Sequence, residues 1–332
     1  MISRASVLIF CTAIFLALAA QDLDAAKKTP KTSATQSAKK KKKSAEDEEA
    51  EAPVAPQKPV RPPRTSGEVP SANGVPDVSQ LSSELPILAR GACVIDEWTG
   101  ETLYAKNADQ PFFPASTTKI LTALLVIEEG DLDHVVTVGD EEPRIGESSL
   151  DLQTGELFTR RQLLYGLMLK SANDVAHALA RDNAGSIEAF AEKMNRRARE
   201  LGATNSHFVN PHGLHNPQHY TTPHDLGLIA RAAMRQPLFR EIVSTENFSW
   251  QSPSHGLQLL TNHDRLLRMF PGCTGIKTGY TGPAGNVFVG AALWSTREVI
   301  SVVMHTDRPG QWADSKLLLT YGFAHLPELV LQ

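Results

Sequence analysis

The segment Ser116–Glu129, STTKILTALLVIEE, limits the possible folds more than any other part of the chain. Ile120, Leu121, Leu124, Leu125, Val126 and Ile127 cover every face of a helix that stops at Gly130. A helix apolar all round is stable in water only when other elements enclose it. The segment therefore predicts a domain built around a central helix. Strand-like runs at Ile87–Ile95 and Glu101–Lys106, joined by a turn through Asp96–Gly100, read as a hairpin ahead of it. Helices are predicted over Arg160–Lys170 and Asp174–Arg181. Another carries Ile187, Phe190, Met194 and Leu201 as one stripe, with Ser186 as its cap and Gly202 as its stop. Strands return at Gly275–Thr281, Asn286–Trp294 and Val299–His305, before a final helix over Trp312–Phe323. Strands at both ends with helices between them predict a mixed α/β (α+β) domain. Its sheet is assembled from distant segments, and a helical lobe is inserted.

Residues 27–86 are not expected to fold. Lys39–Lys43 is an unbroken Lys run, Glu46–Glu49 is acidic, and Pro recurs at 53, 56, 59, 62, 63, 70, 76 and 86. Few apolar side chains are available there to offset the entropy of ordering. The segment reads as a semi-extended tether carrying 11 Lys and Arg against 8 Asp and Glu. From Ile87 to Gln332, the predicted folded domain, the balance reverses to 21 against 27. The overall charge of -4 gives no reason to expect a nucleic-acid partner. Lys39–Lys43 is either a solvated part of the tether or a contact to anionic wall polymer or membrane surface. Residues 1–26 read as an export signal: Arg4, an apolar run Val7–Ala20, and small-residue sites at Ala17-Leu18-Ala19 and Asp24-Ala25-Ala26. That run falls short of the roughly 20 residues a membrane anchor needs, so cleavage is favoured over retention. The expected location is the periplasm or cell-wall space. Cleavage leaves Cys93 and Cys273, expected as two buried thiols rather than a bridge.

Three motifs carry the chemistry: Ser116-Thr117-Thr118-Lys119, Ser171-Ala172-Asn173 and Lys277-Thr278-Gly279. Singly they are weak, and decoys at Ser37…Lys40 and Ser71…Asn73 lie in the tether. Context separates them. Ser116 is expected to open the buried helix with Lys119 one turn on, on the same face. A Ser hydroxyl becomes a nucleophile when a neighbouring base takes its proton. Lys119 can be that base if burial, the helix dipole and a second cation, Lys277, depress its pKa. The bland alternative is Ser116 as an ordinary cap and Lys119 as a solvated first-turn residue. Ser171-Ala172-Asn173 falls between two helices, where Ser171 can relay a proton and Asn173 can hydrogen-bond Lys119 and substrate. Alternatively Asn173 only caps the following helix. In Lys277-Thr278-Gly279, Gly279 admits close approach of a substrate backbone, and Lys277 with Thr278 can hold a carboxylate. The bland alternative is an edge strand with an exposed Lys. The three fall in the order of the S-x-x-K, S-D-N, K-T-G set, with Ala172 in place of the Asp.

With the stretches PASTTKILTALL, SLDLQTGELFTRRQLLYGLMLKSANDVAHALA, FVNPHGL, HYTTPHDL and GIKTGYTGPAG, the sequence resembles the D-alanyl-D-alanine carboxypeptidases, the low-molecular-mass penicillin-binding proteins. The resemblance covers roughly Ile87–Phe323. It implies a β-lactamase/DD-peptidase-like fold, a five-stranded antiparallel sheet flanked by helices with an inserted all-helical subdomain. It implies removal of the terminal D-Ala from peptidoglycan stem peptides, a cell-wall and cell-shape role, and no metal or cofactor. Ser116 would form the acyl-enzyme, Lys119 accept its proton, Ser171 act in proton transfer with Asn173 beside it, and Lys277 bind the substrate carboxylate region. The N–H groups of Ser116 and Tyr280 would form the oxyanion hole, and β-lactam antibiotics would acylate Ser116. One departure is Gln311, where many relatives carry an Arg; the nearest cation is Arg308.

Other readings remain open at this point. A DD-endopeptidase would use the same site on cross-links. A β-lactamase is disfavoured, because no Glu-x-x-Leu-Asn segment lies between Ser171 and Lys277. His207, His212, His215, His219 and His224 crowd one loop-like region and suggest a zinc peptidase. They lack H-E-x-x-H spacing, and His212 and His219 fall in the family-like stretches, so a structural use is expected. The non-enzymatic alternative is a wall protein that binds peptidoglycan without turnover.

Overall fold

The computed structural model describes residues 84–327. The predicted signal and the tether up to residue 83, with Lys39–Lys43, lie outside the described residues. Folded structure begins slightly before Ile87: Leu85 is buried and its carbonyl accepts the Ile87 N–H at 2.8 Å.

In chain order, β1 (Gly91–Asp96) and β2 (Thr102–Lys106) form the predicted hairpin, followed by α1 (Lys119–Glu129). Next come a short ribbon of β3 (Val135–Thr137) and β4 (Leu157–Thr159), then α2 (Arg160–Leu169), α3 (Asn173–Ala184) and α4 (Ile187–Glu200). Two further helices, α5 (Pro223–Met234) and α6 (Pro237–Ser244), lead to a second hairpin, β5 (Asn247–Ser252) and β6 (Gly256–Thr261). A single turn, α7 (Leu266–Met269), precedes β7 (Cys273–Thr281), β8 (Gly285–Trp294), β9 (Arg297–Thr306) and α8 (Gly310–Ala324). The main sheet has five strands in the order β2-β1-β9-β8-β7, all antiparallel. Its N-terminal pair and its C-terminal three strands are separated by the whole helical region, as the strand pattern predicted.

The period-two alternation of the strands feeds two cores. Cys93, Ile95, Val287, Val289, Ile300 and Val302 face the helical side. Ala92, Val94, Phe288, Ala292, Val299 and Val303 face α8. On the helical side α1 packs against α2, α3, α4, α5 and α6, which is how a helix apolar all round is enclosed. Local signals set the helix starts. Thr159 and Gln162 make a reciprocal capping box on α2, Ser186 accepts from Ala189 N on α4, and Thr222 with Pro223 opens α5. His224, expected in a loop, therefore lies in the first turn of α5. Among the described residues no helix is long and apolar enough to cross a membrane.

Cys93 and Cys273 are both free. They stand on β1 and β7, with β9 and β8 between them. At normal strand spacing that is about 14 Å, beyond the reach of a disulfide. Burial pushes the Cys93 thiol up to about 12 and raises Cys273 as well, so neither is a ready thiolate. A bridge closing so long a loop would contribute about 5 kcal/mol. Thermal melting with and without reductant should therefore give the same midpoint; a drop on reduction would contradict this separation.

Candidate active site

The three motifs meet where the edge strand β7 packs on the turn ahead of α1: Gly279 lies against Ser116, and Asn173 reaches Lys119. Ser116 does not open α1 directly. It sits in a 3-10 turn, Ala115–Thr118, that leads into the helix. At three residues per turn, the side chains at i and i+3 eclipse, so Ser116 and Lys119 are brought into line. Lys119 Nζ lies 3.1 Å from Ser116 Oγ. Ser116 is half-buried in an otherwise buried run, the one residue from Pro114 to Lys119 with accessible surface to speak of. Ala115, just before it, is held at φ +48, an unfavourable conformation for a residue with a side chain. The turn is fixed from behind by the segment after α4. A methyl group placed at Gly213 would stand 1.8 Å from Ala115 O, so only glycine fits there, and its φ is +86.

Lys119 is fully buried, which rules out the solvated alternative. Its Nζ donates to Asn173 Oδ1 at 2.7 Å and to the His212 carbonyl at 2.6 Å. Burial, and then the charge of Lys277, lower its pKa well below the ordinary value; Asp174 and Glu147 oppose this. The second-cation role expected of Lys277 is thus present in the electrostatics. Asn173 is the first residue of α3 but does not cap it; the cap position is Ala172, with no side-chain bond. Its amide instead donates from Nδ2 to Gly146 O at 3.0 Å and accepts from Lys119. Ser171 lies in the turn between α2 and α3 at φ +62, a second backbone outlier in a motif.

Lys277, Thr278, Gly279 and Tyr280 lie on β7, which is indeed an edge strand, but Lys277 is only 1 % exposed. Its Nζ makes one hydrogen bond, to Thr278 O at 3.0 Å. Burial lowers its pKa to about 7, against the pull of the buried Asp264 carboxylate. Tyr280 is 63 % exposed at the rim. Gly279 makes its close approach to the protein's own nucleophile turn. A methyl group there would stand 3.0 Å from Ser116 N and 3.1 Å from Thr117 N.

The histidine cluster does not converge. Among the described residues no three His, Cys, Asp or Glu side chains are grouped to hold a metal ion. His212 contributes its backbone carbonyl to Lys119. His219 accepts from Val209 N at Nδ1, so its neutral ring carries the proton on Nε2 and donates to Thr118 Oγ1 at 2.8 Å. Burial holds both rings neutral, with values near 3. Gln311 is buried at the start of α8, and Arg308 is exposed. Sequence reasoning missed the strained backbone at Ala115 and Ser171, and the carbonyls of Gly146 and His212.

The fold and its serine–lysine cleft are those of the penicillin-binding DD-peptidases. The family model of D-alanyl-D-alanine carboxypeptidase, peptidase S11, matches residues 78–308. The chain is 36% identical over 241 residues to the D-alanyl-D-alanine carboxypeptidase DacB2 of Mycobacterium tuberculosis, covering 71% of this chain and 82% of that one. It is 36% identical over 257 residues to the D-alanyl-D-alanine carboxypeptidase of Streptomyces sp. strain K15, covering 72% and 88%. The crystal structure of the Streptomyces K15 DD-transpeptidase superposes with a TM-score of 0.69 at 34% identity, over 73% of this chain and 99% of that one. The chain belongs to the D-alanyl-D-alanine carboxypeptidase family.

Gly279→Ala tests the packing of β7 on the nucleophile turn. The added methyl should displace Ser116 by a few tenths of an ångström, slowing its acylation at least about tenfold while the melting temperature changes little. An unchanged acylation rate would show that the two segments are not held in register by this contact.

Proposed function

We propose that this protein is an exported serine carboxypeptidase that removes the terminal D-Ala from peptidoglycan stem peptides through an acyl-enzyme on Ser116. The observation that carries the reading is the hydrogen-bond count at Lys119. A neutral amine has two N–H groups and one lone pair. Asn173 Oδ1 and the His212 carbonyl accept the two N–H groups. In the neutral amine the lone pair would then face the Ser116 hydroxyl, 3.1 Å away, where the ammonium donates its third N–H. Burial and the charge of Lys277 lower the Lys119 pKa and so favour the neutral amine that carries this lone pair.

Ser116 Oγ attacks the carbonyl of the penultimate D-Ala as its proton passes to Lys119 Nζ. The oxyanion is received by the N–H groups of Ser116 and Tyr280. On collapse the amide C–N bond breaks, and the departing D-Ala amine takes a proton from Lys119, relayed by Ser171. Water then adds to the ester, with the lysine again taking the proton, and Ser116 is released. Asn173 keeps the base oriented, while Lys277 and Thr278 hold the terminal carboxylate. The free edge of β7 can pair with the peptide backbone through Gly279. β-Lactams would enter the same path as covalent inhibitors. The tether, through Lys39–Lys43, would place the domain near wall or membrane surface.

The decisive experiment uses a fluorescent penicillin and a D-Ala-D-Ala-terminated peptide beside Ser116→Ala. Labelling should vanish in the variant, and the intact protein should release free D-alanine. Labelling with cleavage only of cross-linked peptides would make it a DD-endopeptidase. No labelling would overturn the serine mechanism and favour binding of peptidoglycan without turnover.

The two lysines also set a pH profile. The base must be neutral, so kcat/KM should rise with pH through the depressed Lys119 value. Carboxylate binding needs Lys277 charged, so kcat/KM should fall as pH climbs through about 7. A neutral active ester lacks the carboxylate and should show the acidic limb alone. An alkaline limb with that ester would remove Lys277 from carboxylate binding.

A further inference from the structure

Asn173 has to present its oxygen, and not its nitrogen, to Lys119. What fixes that choice is the Gly146 carbonyl, which can only accept and therefore faces Nδ2. Gly146 belongs to an irregular segment, Gly139–Leu152, that runs from β3 along α3 and forms one wall beside the cleft. Irregular segments are mobile unless tied down, and this one is tied at both ends by buried carboxylates.

At the near end is Asp174, buried, one residue after Asn173. It accepts from Ser149 Oγ at 2.7 Å, from Leu150 N at 3.1 Å and from Leu152 N at 3.1 Å. Asn173 N donates to Ser148 O at 2.7 Å in the same stretch. At the far end is Glu142, fully buried in a 3-10 turn. It accepts from Gly139 N at 2.6 Å, His177 Nδ1 at 3.1 Å and Arg181 Nε at 2.9 Å. Burial alone would raise this carboxyl, but the bonds from His177 and Arg181 outweigh it and hold it down to about 2. His177 and Arg181 follow Asn173 by one and two turns on α3, so the helix that carries the amide also carries both anchors of the wall facing it.

We infer that Asp174 and Glu142 are positioning residues for catalysis: by clamping Gly139–Leu152 to α3 they hold the Gly146 carbonyl where it orients Asn173, and so aim the lone pair of Lys119 at Ser116. This rests on the serine–lysine reading above. The charges that face Lys119 are Lys277 from β7, Asp174 from α3 and Glu147 from the clamped segment. His212 and His219 beside it are neutral.

The sign of the effect follows. An ammonium gains more from an acceptor than a neutral amine does. Loss of the Asn173 oxygen therefore favours the neutral amine and moves the acidic limb of acylation to lower pH. The plateau falls at the same time, because the lone pair is no longer aimed. A purely structural defect would reduce the amount of active protein without moving the limb.

The test is the rate of Ser116 labelling by a fluorescent penicillin as a function of pH, per labelled site, for the full chain, Asp174→Asn, Glu142→Gln and Ser149→Ala. Asp174→Asn and Glu142→Gln should lower the plateau about tenfold and displace the limb to lower pH. Glu142 is not among the charges that act on Lys119, so a displaced limb in Glu142→Gln reports the clamp itself. Ser149→Ala removes the hydroxyl's bond to Asp174 and the one it accepts from Asp151 N, changes no charge, and should show the same displacement in smaller degree. Unchanged limbs in the variants that fold, with or without a lower plateau, would overturn the inference. Failure of the unmodified protein to label would instead overturn the reading on which it rests.

Discussion

A lysine amine without access to water is the constraint around which this domain is arranged. Burying it makes charge costly, and the base is useful for that reason. Burial also means that every hydrogen on the nitrogen needs a partner inside the protein. Two segments far apart in sequence supply acceptors, Asn173 from the start of α3 and the His212 carbonyl from the stretch between α4 and α5, and Ser116 in the preceding turn also faces the nitrogen. None of these positions can move far without leaving a buried polar group unsatisfied. The fold around Lys119 follows from that demand, since α1 must be covered by α3 and by the His212 segment at once.

The sheet enters from the other side. Gly279 lets β7 lie against the Ser116 turn, and this brings Lys277 close enough for its charge to bear on Lys119. The charge of Lys277 adds to burial in disfavouring a charge on Lys119, whereas Lys277 itself is lowered by burial. Lys277 is lowered to about 7 and Lys119 well below its ordinary value, so neither amine behaves as an ordinary surface lysine. Distinct roles for two identical side chains thus come from their surroundings. Lys119 is ringed by acceptors, whereas Lys277 has a single internal bond and donors to spare.

Much of this was legible in the sequence because it rests on local patterns. The all-apolar helix, the strands at both ends and the stripe between Ser186 and Gly202 are periodicities, and they predicted the sheet's distant halves and the central helix. The motif side chains could be named because Ser, Lys and Asn have few reasons to recur in that order. What escaped was non-local or carried by the backbone. Nothing in Pro114-Ala115-Ser116 announces a 3-10 turn with Ala115 at positive φ, which is imposed by Gly213 packing from almost a hundred residues away. Carbonyl partners such as Gly146 and His212 have no sequence signature. The β5–β6 hairpin was overlooked because Leu257 and Leu259 point outward while Leu260 points inward, so β6 carries leucines on both faces and shows no clean period-two alternation.

The strain at the site is affordable only because of where it lies. Ala115 and Ser171 each occupy a left-handed conformation that costs roughly 1–3 kcal/mol. Both immediately flank well-packed helices: Ala115 leads into α1, which is enclosed by five others, and Ser171 joins α2 to α3, whose inward faces are buried. Relaxing either residue would mean rotating a helix out of register with its neighbours, at a larger cost than the strain itself. The core therefore does more than stabilise the domain. It holds Ala115, next to Ser116, and Ser171 in backbone geometries they would not adopt alone.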